Sequence, residues 1–396
     1  MHMLSCSVMS SMLVNLSAAA GSFLAITLFF WLVNFRSLSL RWFIFEILGR
    51  LKGVPVVWIE CPLAAARVMK GSSDKGVFLE RTFSTPAWLP LLSIESVDGP
   101  QWRSMKANLV TFMQSLPPMA ALQSITQRVT LESMATLDCV NADAIASISV
   151  AAFFEWIFQF KMPTALRDLV TAASWEWRKE IALKGVGDMA LKRKAVDAIV
   201  LEILAAPHVC NVFGAAQWLQ PEFHSLLLQP FLISPAINVA DVAVQVHRLT
   251  TVDPTHYPDT MQQATNLIHL AIDTAHPFVL FERYLPEGLQ DDVVNIAPRT
   301  HVFMPVDVMK TDAIIRFGAG ARKCPGAHLG MACMLGLFTK DVLGHAKFQP
   351  HVGHLYSGRD QDGQETMYET LYQGRQALHA MRDALQDRLA KLRWTK

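Results

Sequence analysis

The sequence predicts a mainly α-helical domain with small β-sheets, an α+β arrangement, behind an N-terminal transmembrane helix. Three observations predict it. Helical apolar periodicity dominates from residue 63 to about 343, and strand-like runs are confined to the front of that stretch and to the part before its last loop. Residues 12–33 contain no charge over 22 positions, and about 20 apolar residues span a bilayer as a helix. The chain of 396 residues is 52% hydrophobic but only 17% charged, against roughly 25% charged in an ordinary soluble domain. That deficit implies a large buried core, membrane contact, or both.

Residues 12–33 read MLVNLSAAAGSFLAITLFFWLV. A cleaved signal peptide would have a shorter apolar core preceded by basic residues. Here the basic residues follow: Arg36, Arg41, Arg50 and Lys52. Positive charge stays cytoplasmic, so the expectation is an uncleaved single-pass anchor (1–35) with the remaining chain in the cytosol. Residues 38–51 are apolar too, with Trp42, Phe43 and Phe45, and suit an amphipathic helix on the membrane surface.

VPVVWIE (54–60) has the β-branched and aromatic enrichment of a strand. Cys61-Pro62 starts a short helix over 63–70, stopped by Gly71. Asp98-Gly99-Pro100 is a turn before a helix at 101–113. Pro117-Pro118 interrupts, and helices are predicted at 120–137, 141–160 and 164–179. Trp175 and Trp177 flank Glu176 in the last of these and are not expected to face fully inward together. A Gly-punctuated loop over 184–188 leads to a helix at 190–205, with Lys192, Arg193 and Lys194 read as its wet face. A long apolar helix follows at 223–248, and Pro230 and Pro235 are expected to kink it. Another helix is predicted at 256–278, then strand-like pieces within 293–308 around Pro298 and Pro305. From 314 the chain is a loop and then a helix to about 343. The tail (359–396) has 13 charged residues of 38, twice the chain average, and reads as a solvated helical appendage. The domain proper is thus 36–358.

Composition excludes several classes. Lys plus Arg is 35 and Asp plus Glu 34, a net charge of +1, which argues against a nucleic-acid binder. A chain this apolar is not disordered overall. The six cysteines stand at 6, 61, 139, 210, 324 and 333 with no Cys-x-x-Cys, so a reduced, cytosol-facing domain is expected. The 13 histidines include no His-Glu-x-x-His, which speaks against a zinc site.

The sharpest motif is FGAGARKCPG (317–326), followed by AHLGMACMLGLF. It is a Gly-rich loop delivering a cysteine to the start of an apolar helix. Gly318 and Gly320 permit a tight turn and close approach to a flat object. Cys324 sits ahead of the helix, where free N–H groups favour a thiolate. Arg322 is placed to meet an anion on the same side, and Pro325 suits the first turn. A free thiol beside a Gly-rich turn is the plainer reading. An iron–sulfur site fails for want of further ligands, and a phosphate loop lacks Gly-Lys-Ser/Thr. An iron centre held by one thiolate is the state this arrangement serves.

FGAGARKCPG resembles the haem-binding loop of the cytochrome P-450 family, Phe-x-x-Gly-x-Arg-x-Cys-x-Gly, matched at Phe317, Gly320, Arg322, Cys324 and Gly326. The resemblance implies that Cys324 is the axial thiolate of haem b (iron protoporphyrin IX). It implies that Phe317 packs beneath the haem near the sulfur, that Arg322 pairs with a propionate, and that Gly326 allows close haem–helix packing. Upstream, PVVWIECPLAAARVM is similar to the family's first strand and helix. DGPQWRSMK resembles the helix whose Trp-x-x-x-Arg holds a propionate: Trp102 matches, and Lys106 replaces the Arg, keeping charge without the bidentate fork. HPFVLFER (276–283) resembles the segment after the Glu-x-x-Arg helix and makes Arg283 a second propionate partner. IAPRTHVFMP looks like the strand that follows. With the anchor included, the resemblance is to the microsomal type and covers most of residues 40–350.

The chain also departs from that family. Ala271 and Thr274 stand where the Glu-x-x-Arg pair falls, and Asp273 or His276 would substitute only with a register shift. Only TDAIIR separates Lys310 from Phe317, where the family has a longer meander. In the oxygen-activating helix, placed at 226–246, Pro235 and Ala236 stand near the acid and alcohol positions. Asn238 is the one polar group near enough to replace them; its alternative role is a kink residue beside Pro235.

The resemblance therefore implies a membrane-anchored, P-450-like monooxygenase of a lipophilic small molecule. It would sit in the endoplasmic reticulum with its haem domain cytosolic, and NADPH-cytochrome P-450 reductase would supply electrons. Two alternatives remain open. One is a P-450-like isomerase or dehydratase of a hydroperoxide, which needs no acid–alcohol pair. The other is a non-catalytic, divergent family member.

Overall fold

The computed structural model describes residues 38–76, 88–182, 187–274, 276, 280–306, 309 and 315–350. The expected anchor at 12–33 and the charged tail at 359–396 lie outside them. The described residues fall into two compact units: one contains helix α1, the other runs from Val54. Helix α1 (Leu38–Lys52) realises the expected helix at 38–51. Arg50 pairs with Glu46 one turn earlier, and Arg50 and Lys52 lie in the last turn, where cations complement the helix dipole.

The larger unit is built on four helices. They are α4 (Met119–Thr136), α5 (Ala142–Phe158), α11 (Ser234–Val252) and α13 (Ala327–Leu337), and they pack on one another. Helix α5 is apolar on all sides, with 13 of its 17 residues buried, so it is the centre of the bundle. Asn141 starts it by accepting the Ala144 N–H at 2.9 Å. Helices α4 and α13 approach closely at Gly336, where a Cβ would lie 2.4 Å from the Gln123 carbonyl oxygen. Helix α3 (Gly99–Gln114) precedes the bundle.

Beside the bundle stand α6 (Thr164–Ala182) and α7 (Met189–Ala205). Two sequence expectations fail here. Lys192 is fully buried, not on a wet face, and its Nζ donates to Glu180 Oε1 at 2.5 Å. It shares a stripe with the buried Ala195, Val196, Ile199 and Ile203. A partner acid is supplied across the α6–α7 pair, and Trp177 packs 5.8 Å from the ammonium. Arg193 and Lys194 are exposed as expected. Trp175 and Trp177 are both buried, because α5 and α11 as well as α7 cover helix α6.

Two single-turn helices, α8 (Pro207–Cys210) and α9 (Ala215–Trp218), lead into the long apolar helix. That helix is longer than expected: α10 (Pro221–Leu227), a π-helical stretch at Leu228–Ile233, and then α11. Pro230 and Pro235 each remove a ladder bond. The chain absorbs the loss by widening, and the Ser234 N–H reaches back five residues to the Gln229 carbonyl. Pro221–Val252 is long and apolar enough to cross a membrane, but it is mostly buried inside the fold, so it reads as a core helix.

Helix α12 (Met261–Thr274) is shorter than the expected 256–278. Pro254–His256 forms a separate 3-10 turn, and the Gln263 side chain accepts the N–H groups of Asp259 and Thr260, fixing the start. The expected helix to 343 breaks at Phe338–Thr339, leaving α14 (Lys340–Leu343).

The main sheet has the order β1 (Val56–Trp58), β5 (Thr300–Met304), β2 (Phe281–Leu285). Strands β1 and β5 are parallel, while β5 and β2 are antiparallel with Arg283 opposite Val302. β3 (Leu289–Gln290) and β4 (Asn295–Ile296) form a small hairpin. Helix α2 (Pro62–Gly71) shares a second core with the sheet, including Ala65, Val68, Met69, Val302 and Met304.

The buried Lys192–Glu180 pair yields a prediction. Lys192→Met leaves a buried carboxylate uncompensated, and should cost about 3–5 kcal/mol in chemical denaturation. Lys192→Met combined with Glu180→Leu should recover most of that loss. Equal losses in the single and double variants would show that the charge pairing is not what matters.

Candidate functional site

The loop between Ile315 and α13 presents Cys324. The Cys324 N–H donates to the Phe317 carbonyl at 2.9 Å, closing the loop across its own base. Gly320 has φ of +70°, and a Cβ there would sit 2.2 Å from the Met69 carbonyl oxygen of α2. No side chain fits, so the loop rests directly on the α2 backbone. Gly318 also has positive φ. At Gly326, the residue preceding α13, a Cβ would lie 3.9 Å from the Cys324 sulfur, an ordinary contact. This glycine keeps the sulfur's surroundings bare and is not forced by crowding. Phe317 is half-buried against the main core.

Cys324 is exposed, yet protein surrounds it closely enough for desolvation to push its thiol pKa up to about 11. The Gly326 backbone amide, hydrogen-bonded to the sulfur, and the Lys323 charge pull in the other direction. Cys333 also has its pKa raised to about 11 by desolvation, but it is fully buried, with Thr126 and Ser149 on its sulfur.

Arg322 does not stand open. Its Nε donates to the Ser73 carbonyl, Nη1 to Ile94 O at 3.3 Å, and Nη2 to Val97 O at 2.7 Å and to the Asp98 carboxylate. Its guanidinium carbon lies 4.6 Å from the centre of the Trp102 ring. Trp102 is buried on α3, and Lys106, one turn on, donates to the Ala321 carbonyl. The structure thus brings the Trp102/Lys106 pair to the cysteine loop. Asp98, which sequence reasoning treated only as a turn residue, is the acid of the group.

Arg283 lies buried on β2. Burial and the nearby Arg322 charge push its pKa down to about 10, and Glu282 and Asp98 offset only part of that. Its Nη1 donates to the Glu282 carbonyl at 2.7 Å, but its buried Nε finds no hydrogen-bond partner among the described residues. Strand β2 was missed because Glu282 and Arg283 break the apolar pattern, and both are buried. The donor set is therefore one thiol, cationic side chains in excess, an aromatic plate and an unmet buried N–H. These residues would fit a flat, acidic group carrying a metal that accepts a soft donor.

A second link was half-legible. Ala271 and Thr274 carry no charge, but Asp273 on α12 takes Arg316 bidentately: Nε–Oδ1 2.8 Å and Nη2–Oδ2 2.6 Å. His276 Nε2 lies 3.0 Å from the Arg316 carbonyl oxygen. Arg316 directly precedes Phe317, so α12 is tied to the base of the cysteine loop by a residue two positions along from the expected one.

Asn238 is not brought into this network. It is half-buried on α11, and its side chain makes no hydrogen bond among the described residues. Pro235 and Ala236 beside it are buried. The first acid beyond it, Asp241, pairs with Arg178 of α6 at 2.6 Å.

Solved cytochrome P450 structures share this architecture. A six-coordinated cytochrome P450 from Thermus thermophilus matches over 81% of this chain and 96% of its own, with a TM-score of 0.58 and 14% identity. A variant of cytochrome P450 OleT, in complex with arachidonic acid, matches over 80% and 87%, at 0.55 and 12%. A 4-phenylimidazole-bound cytochrome P450 from the archaeon Picrophilus torridus matches over 74% and 90%, at 0.53 and 13%. No family profile and no curated protein matches the sequence. The chain has a cytochrome P450-like fold: mostly helical with small sheets, as the sequence predicted.

The Asp273–Arg316 link is testable by denaturation. Asp273→Asn should lower stability by about 1.5–3 kcal/mol, the range for a hydrogen-bonded charge that loses its partner. Exchanging the two residues, Asp273→Arg with Arg316→Asp, should restore part of it. An unchanged midpoint for Asp273→Asn would rule out the link as a tether.

Proposed function

We propose that this protein is a haem-thiolate oxidoreductase, a cytochrome P450-like monooxygenase of a lipophilic small molecule, with Cys324 as the residue that would hold the iron. One observation carries the reading: an exposed cysteine fixed at the head of an apolar helix, with buried cations nearby of which Arg283 has an Nε without a partner among the described residues. These residues fit haem b. When bound, it supplies the electron-transfer and oxygen chemistry, which thiolate donation favours.

The chain's own residues have distinct tasks. Burial pushes the Cys324 thiol up to about 11, so binding iron there would require it to give up its proton, and the Gly326 amide on the sulfur would favour the resulting thiolate. Arg283 and Arg322 would offer guanidinium groups to acidic substituents, Lys106 adds charge, and the Trp102 ring lies against both Arg322 and Lys106. Phe317 packs against the main core, and its carbonyl accepts the Cys324 N–H.

Residues 12–33 supply the proposed single-pass anchor, and the basic residues after them favour a cytosolic domain. We place the protein in the endoplasmic reticulum, with NADPH-cytochrome P-450 reductase as electron donor and a membrane-soluble substrate. OleT's structure holds arachidonic acid, which is consistent with a lipophilic occupant in this fold.

One observation favours a second reading, an isomerase or dehydratase of a hydroperoxide. Pro235 and Ala236 offer no proton relay, and Asp241 is committed to Arg178. Turnover with a lipid hydroperoxide, without reductase or oxygen, would select this reading. Dependence on both would select the first.

The deciding measurement is the carbon monoxide difference spectrum of the reduced protein. A Soret band at the thiolate–haem position is expected, and Cys324→Ala should abolish it. An unchanged band in Cys324→Ala, or a folded protein that takes up no haem, would overturn the proposal. Trp102→Ala should lower haem occupancy severalfold while keeping the thiolate band. Unaltered occupancy would remove Trp102 from the site.

A further inference from the structure

The two buried guanidinium groups near the cysteine loop are treated unequally by the chain. Arg283 keeps an unmet Nε, whereas Arg322 is held by three backbone carbonyls and by the Asp98 carboxylate. We infer that Asp98 is a resident counter-ion, occupying on Arg322 the place that a carboxylate of the bound ligand would take, so that loading hands Arg322 from Asp98 to the ligand. The inference rests on the haem reading above and concerns how that site fills.

The geometry of Asp98 supports a group built to let go. Its Oδ1 also accepts the Lys75 N–H at 3.0 Å, and Oδ2 the Gly76 N–H at 3.0 Å. It stands at the N-terminus of the 16-residue α3, where the helix dipole favours an anion. Its side chain makes no bond to the helix's own amides. Asp98 therefore keeps two backbone donors and a favourable potential when Arg322 turns away. The carbonyls of Ser73, Ile94 and Val97 and the Trp102 face meanwhile keep Arg322 close by. In the unloaded protein the ion pair neutralises a buried cation. In the loaded protein the same carboxylate faces an incoming one across a single guanidinium, and like charges at that range repel. Asp98 is thus a positioning residue that stabilises the empty site and weakens the hold on an acidic ligand.

The test uses the full-length protein, ferric protoporphyrin IX as the diacid probe, and its dimethyl ester as the neutral one, each titrated by Soret absorbance. Asp98→Asn keeps one acceptor oxygen, for the Lys75 or the Gly76 amide, and removes the charge. It should bind the diacid tighter than wild type by on the order of tenfold, from the loss of one like-charge contact. Its affinity for the diester should be unchanged. The ligand-free variant should melt at a lower temperature, and should gain more on loading than wild type does. Asp98→Ser, which is neutral and shorter, should show the same contrast and covers a failure of the first variant to fold. Equal or weaker diacid binding by both variants, or parallel changes with diacid and diester, would overturn the inference and leave the haem reading standing. Folded wild-type protein that binds neither porphyrin would remove the haem reading itself.

Discussion

A single guanidinium holds together segments that are otherwise far apart. Arg322 reaches Ser73 beyond α2, Ile94 and Val97 in the segment before α3, and Asp98 at the head of α3, while lying on Trp102. The nearest of these hydrogen-bond partners in sequence, Asp98, is 224 positions earlier in the chain. The planar fork of arginine makes this possible, because several donors leave one rigid plane in different directions. Lysine at 322 would satisfy at most a subset of them and would not stack on the indole in the same way. The segment 91–98 is fastened on its other side as well: the Leu92 N–H donates to Ser225 Oγ and the Ile94 N–H to Gln229 Oε1. It therefore bridges the long apolar helix and the cysteine loop, with Arg322 at one end.

The two desolvated cysteines separate on this basis. Cys333 faces the α4–α5 side of the bundle and is out of reach of any ligand. Cys324 meets the same desolvation but lies open, with an amide on its sulfur and a loop that cannot drift. Gly320 is pressed onto Met69, and Asp273 grips Arg316 at the residue where the loop begins. Desolvation alone makes a thiol inert. Desolvation combined with an open approach and fixed donors makes it a good ligand for a metal that can displace its proton.

Legibility in the sequence followed locality. The loop 317–326 was readable because its glycines, arginine and cysteine act within ten residues. Trp102 and Lys106 stand one helical turn apart on α3, as the resemblance to a Trp-x-x-x-Arg helix placed them. Asp98 was read as a turn former, since its partner is 224 residues away. Asp273 was weighed but not chosen, because a fixed spacing was assumed where the structure uses a residue two positions along α12. Lys192 was misplaced for a related reason: hydrophobic patterning puts a lysine in water unless a buried acid opposes it, and Glu180 does so only once α6 and α7 pair. Strand β2 was hidden by its own buried charges. In each case the missing information was tertiary.

The long helix shows the limit of arguing chemistry from fold. A cytochrome P450-like architecture fixes where α10, the π-helical stretch and α11 run, but the groups they present belong to this sequence. Pro235 and Ala236 carry no titratable proton. Asn238 can donate or accept a hydrogen bond, but an amide cannot carry a proton to and fro at neutral pH. The helix's one acid near them, Asp241, is held by Arg178, which is itself buried; freeing it would strand a buried cation, and that cost keeps the pair closed. Residues 234–240 of α11 include no acid, and Ser234 and Asn238 are the polar side chains there. A monooxygenase, as proposed, would need protons delivered to its site, whereas a hydroperoxide isomerase would not, so the side chains of α11 bear on that choice while the fold alone does not.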